Sequence, residues 1–104
     1  MKAPKRGMIV FVLARADYSP GATPQRMWAL GAVYRLREVN SRSFYVYESV
    51  YFGRPASLRR FLLVEWADWL NKRSAEGVVW VDGVRYRAPA NALANGGNDV
   101  ADKQ

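Results

Sequence analysis

The chain has 104 residues, half of them hydrophobic, which is enough for one domain with a single core. It contains neither cysteine nor histidine, so disulfides, thiolate metal sites and Ser–His or Cys–His hydrolases are excluded. Sixteen basic residues, twelve of them arginine, stand against nine acidic ones and give a net charge of +7. This surplus predicts an anionic partner, most often nucleic acid, although small basic proteins without such a partner are also common.

The first candidate element is Met8–Ala14, a continuous apolar and β-branched run. Such a run is typical of a strand that is buried on both faces. Basic residues before it and Ala14-Arg15-Ala16 after it also resemble a signal peptide, but the short run and the arginine in the cleavage box favour a strand. No apolar run approaches the ~18 residues that span a bilayer, so we expect no membrane partner and a cytoplasmic location.

Two strands are predicted after a loop over residues 17–24. Thr23-Pro24 can start a helix, but apolar and polar residues alternate from Ala29 to Val39, which favours a strand there. Trp28 and Leu30 fall on its apolar side. After the turn Asn40-Ser41-Arg42, Ser43–Gly53 alternates again and is rich in aromatic and β-branched residues.

The alternation predicts which side chains of this hairpin share a face. A three-residue turn gives these cross-strand pairs: Arg37 with Tyr45, Arg35 with Tyr47 and Gly31 with Tyr51. The other face is apolar except for Glu48, which either accepts a hydrogen bond from Tyr34 or lies near the sheet edge. A shift of one residue would bury the arginines, so the apolar pattern supports this register.

One helix is predicted over Leu58–Ala75, with Ser57 as its N-cap and Gly77 as its stop. Its apolar arc contains Leu58, Leu62, Leu63, Trp66, Trp69 and Leu70. Phe61 and Val64 lie off this arc, either covered by the next hairpin or available to a partner. The predicted core consists of Trp66, Trp69, Leu62, Phe44, Val46, Phe11 and Val79.

The last element, Val78–Arg87, is predicted to be a hairpin. Asp82-Gly83 between two β-branched runs indicates a two-residue type I′ turn, which places Trp80 opposite Arg85. Residues 90–104 show no periodicity and are predicted to be a disordered tail. The expected architecture is therefore a single α+β domain over residues 1–89. Its mostly antiparallel sheet has the order β-β-β-α-β-β, and the helix packs on one face.

The candidate site is the polar face of this sheet. It carries Arg35, Arg37, Arg42, Tyr45, Tyr47 and Tyr51, with Trp80, Arg85 and Arg87 as an extension. Aromatic side chains on a sheet can stack unpaired bases while arginines hold phosphates, and a basic β-ribbon can enter a DNA groove. The sequence therefore favours a non-catalytic module that binds nucleic acid or a nucleoprotein surface, without metal or cofactor.

Other functions fit the same residues. Tyr, Trp and Arg are also favoured at protein interfaces, so a phage or mobile-element protein that inhibits a host complex, in the manner of anti-CRISPR proteins, is the main alternative. A homodimer formed by edge pairing or through Phe61 and Val64 is compatible with both. Glu65 and Asp68 lie one helical turn apart, but Lys72 beside them favours a solvated face over a metal site.

One set of motifs resembles the GIY-YIG nucleases. Gly31-Ala-Val-Tyr34, Tyr51-Phe-Gly53 and Arg59 or Arg60 occur in the order of that family's two tyrosine motifs and its helical catalytic arginine. The first motif has one extra residue, the gap between the motifs is long, and the family's helical histidine is missing. The sequence therefore favours a binding protein over a nuclease.

Overall fold

The computed structural model describes residues 3–50 and 57–90. They form six strands and two helices: β1 Ile9–Leu13, α1 Pro24–Met27, β2 Ala32–Val39, β3 Ser43–Val50, β4 Ser57–Leu62, α2 Trp66–Glu76, β5 Val78–Val81 and β6 Val84–Tyr86. Short 3₁₀ helices lie at Arg15–Asp17, Trp28–Leu30 and Leu63–Glu65. The predicted α+β class, with one antiparallel sheet and one main helix on one of its faces, is confirmed.

All six strands belong to one antiparallel sheet in the order β4-β3-β2-β1-β5-β6. Strand β1 lies in the middle, between β2 and β5, and its residues from Val10 to Leu13 are buried. This confirms the prediction from its all-apolar run, because a central strand covered on both faces exposes neither set of alternate side chains to water.

Helix α2 covers one face of the sheet. Its buried tryptophans, Trp66 and Trp69, stack on each other with ring centroids 5.6 Å apart. They pack with Leu70 on alternate residues of the strands, which include Val10, Val12, Leu36, Phe44, Val46 and Val79. Removing side chains of this size from water stabilises the fold by about 1.5–3 kcal/mol each.

Gly77 ends α2, as predicted. A Cβ atom at this position would lie 2.2 Å from the carbonyl oxygen of Leu13, so the chain passes against β1 where a side chain does not fit. The chain can therefore pass directly from α2 into β5, which pairs with β1 along the edge opposite to β2.

Within residues 3–50 and 57–90, the opposite face of the sheet is covered over β1, β5 and Val33 at the start of β2. Residues 14–31 fold back over it, and Met27 and Tyr18 pack on a second cluster that contains Phe11, Leu13, Val78 and Trp80. At the end of this segment a Cβ on Gly31 would lie 2.4 Å from the Phe11 ring, so glycine allows close contact there. Among the described residues, the same face has no covering layer over β2 beyond Val33, over β3 or over β4.

The predicted helix over Leu58–Ala75 is wrong in its first half. Ser57–Leu62 is strand β4, paired with β3, and α2 begins only at Trp66. Ser57 is therefore not an N-cap; instead the Glu65 carboxylate accepts a hydrogen bond from the Leu62 N–H at 2.7 Å. Leu58 is 57% exposed and Leu62, assigned to the core, is 45% exposed. With the short helix α1 included, the element order becomes β-α-β-β-β-α-β-β; Ser57–Leu62 is a strand because β3 supplies a ladder for it.

The predicted strand over Ala29–Val39 starts too early. Residues 24–30 are helical, and Trp28 and Leu30, expected on the apolar side, are 41% and 51% exposed. The Thr23-Pro24 signal therefore decided the local structure, and the alternating pattern applied only from Ala32 onward. The other predicted core residues, Trp66, Trp69, Phe44, Val46, Phe11 and Val79, are buried.

The last hairpin is confirmed. Asp82 and Gly83 have φ values of 48° and 82°, as a type I′ turn requires, and Trp80 pairs with Arg85. Asp82 Oδ1 also accepts a hydrogen bond from the Ile9 N–H at 2.8 Å. The predicted tail lies outside the described residues from 91 onward, and neither α1 nor α2 has the length and hydropathy of a membrane-spanning helix.

Candidate functional site

The uncovered part of the sheet carries the residues that we call the Arg–Tyr face. Its members are Arg6, Arg35, Arg37, Tyr45, Tyr47, Leu58 and Arg60. The cross-strand pairs Arg35–Tyr47, Tyr47–Leu58 and Tyr45–Arg60 place most of them side by side on β2, β3 and β4. The arginines are exposed and the two tyrosines are half-buried.

The hairpin register explains how β2 presents its arginines. From Ala32 to Leu36 the pairs are those predicted, and Arg35 lies opposite Tyr47. A bulge between Leu36 and Glu38 then shifts the register, so Glu38, not Arg37, pairs with Tyr45. The prediction for Arg37 is therefore wrong by one position, because a bulge places two residues of one strand opposite one of the other.

The bulge changes what Arg37 contacts. Its guanidinium lies over the Tyr47 ring, 5.6 Å from the ring centroid. Arg37 and Glu38 both line an open depression of about 690 Å³ with Arg6, Tyr45, Tyr47 and Leu58. The depression therefore has two guanidinium groups, one carboxylate and two phenol rings. This combination suits an anionic ligand that carries planar rings.

The β2–β3 turn keeps Arg42 outside this depression. Asn40 Oδ1 accepts hydrogen bonds of 2.9 Å from the backbone N–H groups of Arg42 and Ser43. The closing pair is Val39–Phe44, one position away from the register of the predicted three-residue turn. Arg42 is exposed at the end of the hairpin, where it can reach a long ligand but does not line the pocket. Tyr51, another predicted site residue, lies outside the described residues.

The predicted extension of the site over the last hairpin is corrected by the covering segment. Trp80 lies on the same sheet face but is only 9% exposed, with its ring 5.5 Å from Phe11 and 5.9 Å from Tyr18. The Arg85 guanidinium lies 5.8 Å from the Trp80 ring centroid, which confirms the predicted cation–π pair. This pair is structural, and Arg87 is exposed beyond β6 at the far edge of the sheet.

Sequence reasoning missed Arg60, Leu58 and Arg6. The predicted helix has Leu58 in its apolar arc and Arg60 outside that arc, whereas the strand pairing puts them beside Tyr47 and Tyr45. The available signal was the stretch from Ser57 to Phe61, which is too short to be distinguished from a first helical turn. Arg6 joins the face because the Gly7 N–H donates a 2.7 Å hydrogen bond to the Leu36 carbonyl beside β2.

A smaller cleft of about 210 Å³ lies on the other side of the sheet, between β4 and α2. Arg73 crosses it, stacked on Trp69 and Tyr34 and paired with Glu76 at 2.8 Å. Burial first, and then the charge of Glu48, raises the pKa of Tyr34 to about 12. Tyr34 pairs with Glu48 across β2 and β3 and donates to its carboxylate, which is one of the two alternatives that the sequence left open for Glu48. Arg73 on α2 stacks on Tyr34 of β2, so this cleft fastens the helix to the sheet.

The nuclease motifs do not come together as that resemblance implies. Arg59 and Arg60 lie on β4, not on a helix, and Gly31 packs against Phe11. The second tyrosine motif lies outside the described residues. Within the described ranges, no group of three acidic side chains is arranged to hold a metal ion, and Glu65 caps Leu62.

Comparison with known protein families, with curated proteins and with solved structures finds no significant match to this chain.

Proposed function

We propose that this protein is a cytoplasmic, non-catalytic module that binds single-stranded nucleic acid through the Arg–Tyr face. The observation that supports this proposal most strongly is the open half of the sheet, where exposed arginines surround Tyr45 and Tyr47. Sheets with accessible aromatic rings bind unpaired bases by stacking, and guanidinium groups bind the phosphates between them.

The geometry favours a single strand over a duplex. Tyr45 and Tyr47 are two residues apart on β3, so their side chains are separated by about 7 Å along the strand. That spacing is roughly twice the ~3.4 Å step of stacked bases, so each ring would hold one base of an extended strand. The open face also spans three strands, about 10 Å across, and is therefore wider and flatter than the two-stranded ribbon that fits a ~12 Å major groove.

Binding a base at Tyr47 requires Arg37 to move from the ring. An exposed cation–π contact contributes about 0.5–1 kcal/mol, whereas stacking of a base on an aromatic side chain contributes about 1–3 kcal/mol. The exchange is therefore favourable, and the displaced guanidinium remains close enough to bind the adjoining phosphate. In the free protein, Arg37 shields an aromatic ring that would otherwise be exposed to water.

The test is fluorescence polarisation with labelled 12-nucleotide single-stranded RNA, single-stranded DNA and a matched DNA duplex. We expect micromolar binding of the single strands at 50 mM salt and weaker binding of the duplex. The variant Arg35→Ala/Arg37→Ala should bind at least tenfold more weakly. Arg59→Ala/Lys72→Ala is the matched control, because it removes the same charge from the opposite side of the sheet.

Equal binding by these two variants would mean that only net charge matters and that the Arg–Tyr face is not the site. Absence of salt-sensitive binding to any of the three probes at micromolar protein would overturn the proposal. The same aromatic and arginine residues would then be assigned to a protein partner, to be sought by affinity capture after nuclease treatment.

A further inference from the structure

Along the outer edge of β4, backbone N–H and C=O groups lack a partner among the described residues. In the described part of the chain, β4 pairs with β3 alone and ends the sheet. The Leu63 N–H donates to the Arg42 carbonyl at 2.7 Å, in line with the β3–β4 register. Hydrogen-bonded pairs alternate along an antiparallel ladder, so Phe61 and Arg59 also face β3 with their backbone groups. Leu58, Arg60 and Leu62 therefore direct their N–H and C=O groups outward.

One end of this edge is closed. The outward N–H of Leu62 donates to Glu65 Oε2 at 2.7 Å, which confirms the direction inferred for the even-numbered residues. Leu58 and Arg60 remain, with two N–H donors and two C=O acceptors in a row. Four such groups are enough for a short peptide to add as a strand, which is how several peptide-binding domains hold their ligands.

The two arginine side chains on this edge favour an added strand that carries negative charge. Arg59 points to the helix side and Arg60 to the Arg–Tyr face, and neither forms an ion pair with another described residue. Phe61 and Leu58 lie beside them on the two faces. A strand with two neighbouring carboxylates would place one opposite each arginine, because successive side chains alternate between faces.

Pairing of this edge with β4 of a second copy of the chain is unfavourable. Two-fold antiparallel pairing of β4 strands matches residues of the same parity. The register that uses both Leu58 and Arg60 places Arg59 against its own copy. The next register places Arg60 against its own copy and needs the Leu62 N–H that Glu65 already occupies. Like charges directly opposite each other destabilise a strand pair, so the edge disfavours self-association.

We propose that the outer edge of β4 accepts an extended acidic peptide as a seventh strand. Its backbone forms four hydrogen bonds with Leu58 and Arg60, and two consecutive acidic side chains face Arg59 and Arg60. Apolar residues on either side of the acidic pair contact Phe61 and Leu58. This inference does not rest on nucleic-acid binding, although both ligands use Arg60 and should therefore compete.

The test uses a fluorescein-labelled peptide, Thr-Val-Glu-Glu-Val-Thr, and the same peptide with Lys-Lys in place of Glu-Glu. We expect the acidic peptide to bind and the basic one to bind at least about tenfold more weakly. Arg59→Glu/Arg60→Glu should reverse this preference. Leu58→Pro should abolish binding of the acidic peptide, because it removes an outward N–H without breaking the ladder to β3.

Hydrogen exchange on the unmodified protein gives a readout that does not depend on any variant. Saturating acidic peptide should slow exchange of the Leu58 and Arg60 amides. Three results would overturn the proposal: equal binding of both peptides, no protection of these two amides, or a concentration-dependent homodimer in sedimentation that Leu58→Pro dissolves.

Discussion

Arg35 and Arg37 are the two arginines of β2 on the Arg–Tyr face, and their joint removal makes a quantitative prediction. Both side chains are exposed, and the structure gives them no role in the core. Arg37 contacts the Tyr47 ring, a contact of about 0.5 kcal/mol at an exposed site. Arg35→Ala/Arg37→Ala should therefore fold with a melting temperature within about 3 °C of the parent protein.

The magnitude follows from counting charges on the face. Four arginines, Arg6, Arg35, Arg37 and Arg60, can each neutralise one phosphate of a bound single strand. The logarithm of the binding constant should then fall with the logarithm of salt concentration with a slope of about −2.8, and of about −1.4 in the variant. From 50 to 200 mM salt the parent protein should lose about 50-fold in affinity and the variant about 7-fold.

Fluorescence polarisation with a labelled single-stranded 12-mer at four salt concentrations measures both slopes. Arg59→Ala/Lys72→Ala should keep the parent slope, since its charges lie on the helix side of the sheet. Equal slopes for both variants, or strong destabilisation of the Arg35→Ala/Arg37→Ala protein, would contradict this role of the two arginines. The second result would mean that these arginines hold the sheet together.

The remaining predictions concern stability and exposure. Gly77→Ala should destabilise the protein by about 1–3 kcal/mol in urea unfolding, because its Cβ meets the Leu13 carbonyl, whereas Gly21→Ala, with open space around it, should be nearly neutral. Burial raises the pKa of Tyr34 to about 12. The protonated phenol therefore contributes to the free energy of unfolding fully below pH ~10, and this contribution is lost as the pH rises toward 12. Urea unfolding between pH 8 and 11 should show the loss of stability, and the loss should be smaller in Tyr34→Phe. Acrylamide should quench one tryptophan component strongly, and Trp28→Phe should remove it, since the other three tryptophans are buried.

Local chemistry was sufficient for several elements. Asp82-Gly83 predicted the last hairpin and its Trp80–Arg85 pair because a type I′ turn needs two residues that tolerate positive φ. The all-apolar run around Phe11 predicted a strand that is buried on both faces, and Gly77 predicted the end of the helix. Each of these predictions depends on a few neighbouring residues and not on distant parts of the chain.

The candidate site was only partly readable. The alternation of β2 and β3 predicted the Arg35–Tyr47 pair and the shared face of Tyr45 and Tyr47. It did not predict the bulge at Arg37, because no residue type in that part of β2 marks the position of a bulge. Nor did it show that Trp80 is covered, since burial of that ring depends on where residues 14–31 fold back over the sheet.

The sequence alone determined the class of fold, the hairpin register up to Leu36 and the charge of the open face. The strand at Ser57–Leu62 and the position of Arg60 beside Tyr45 depend on pairing with β3, which lies outside the local sequence. The physical reason is the position of β4 at the sheet edge. Its side chains are largely exposed on both faces, so it carries little period-2 pattern, and its extended form depends on backbone hydrogen bonds to β3 that the local sequence does not encode.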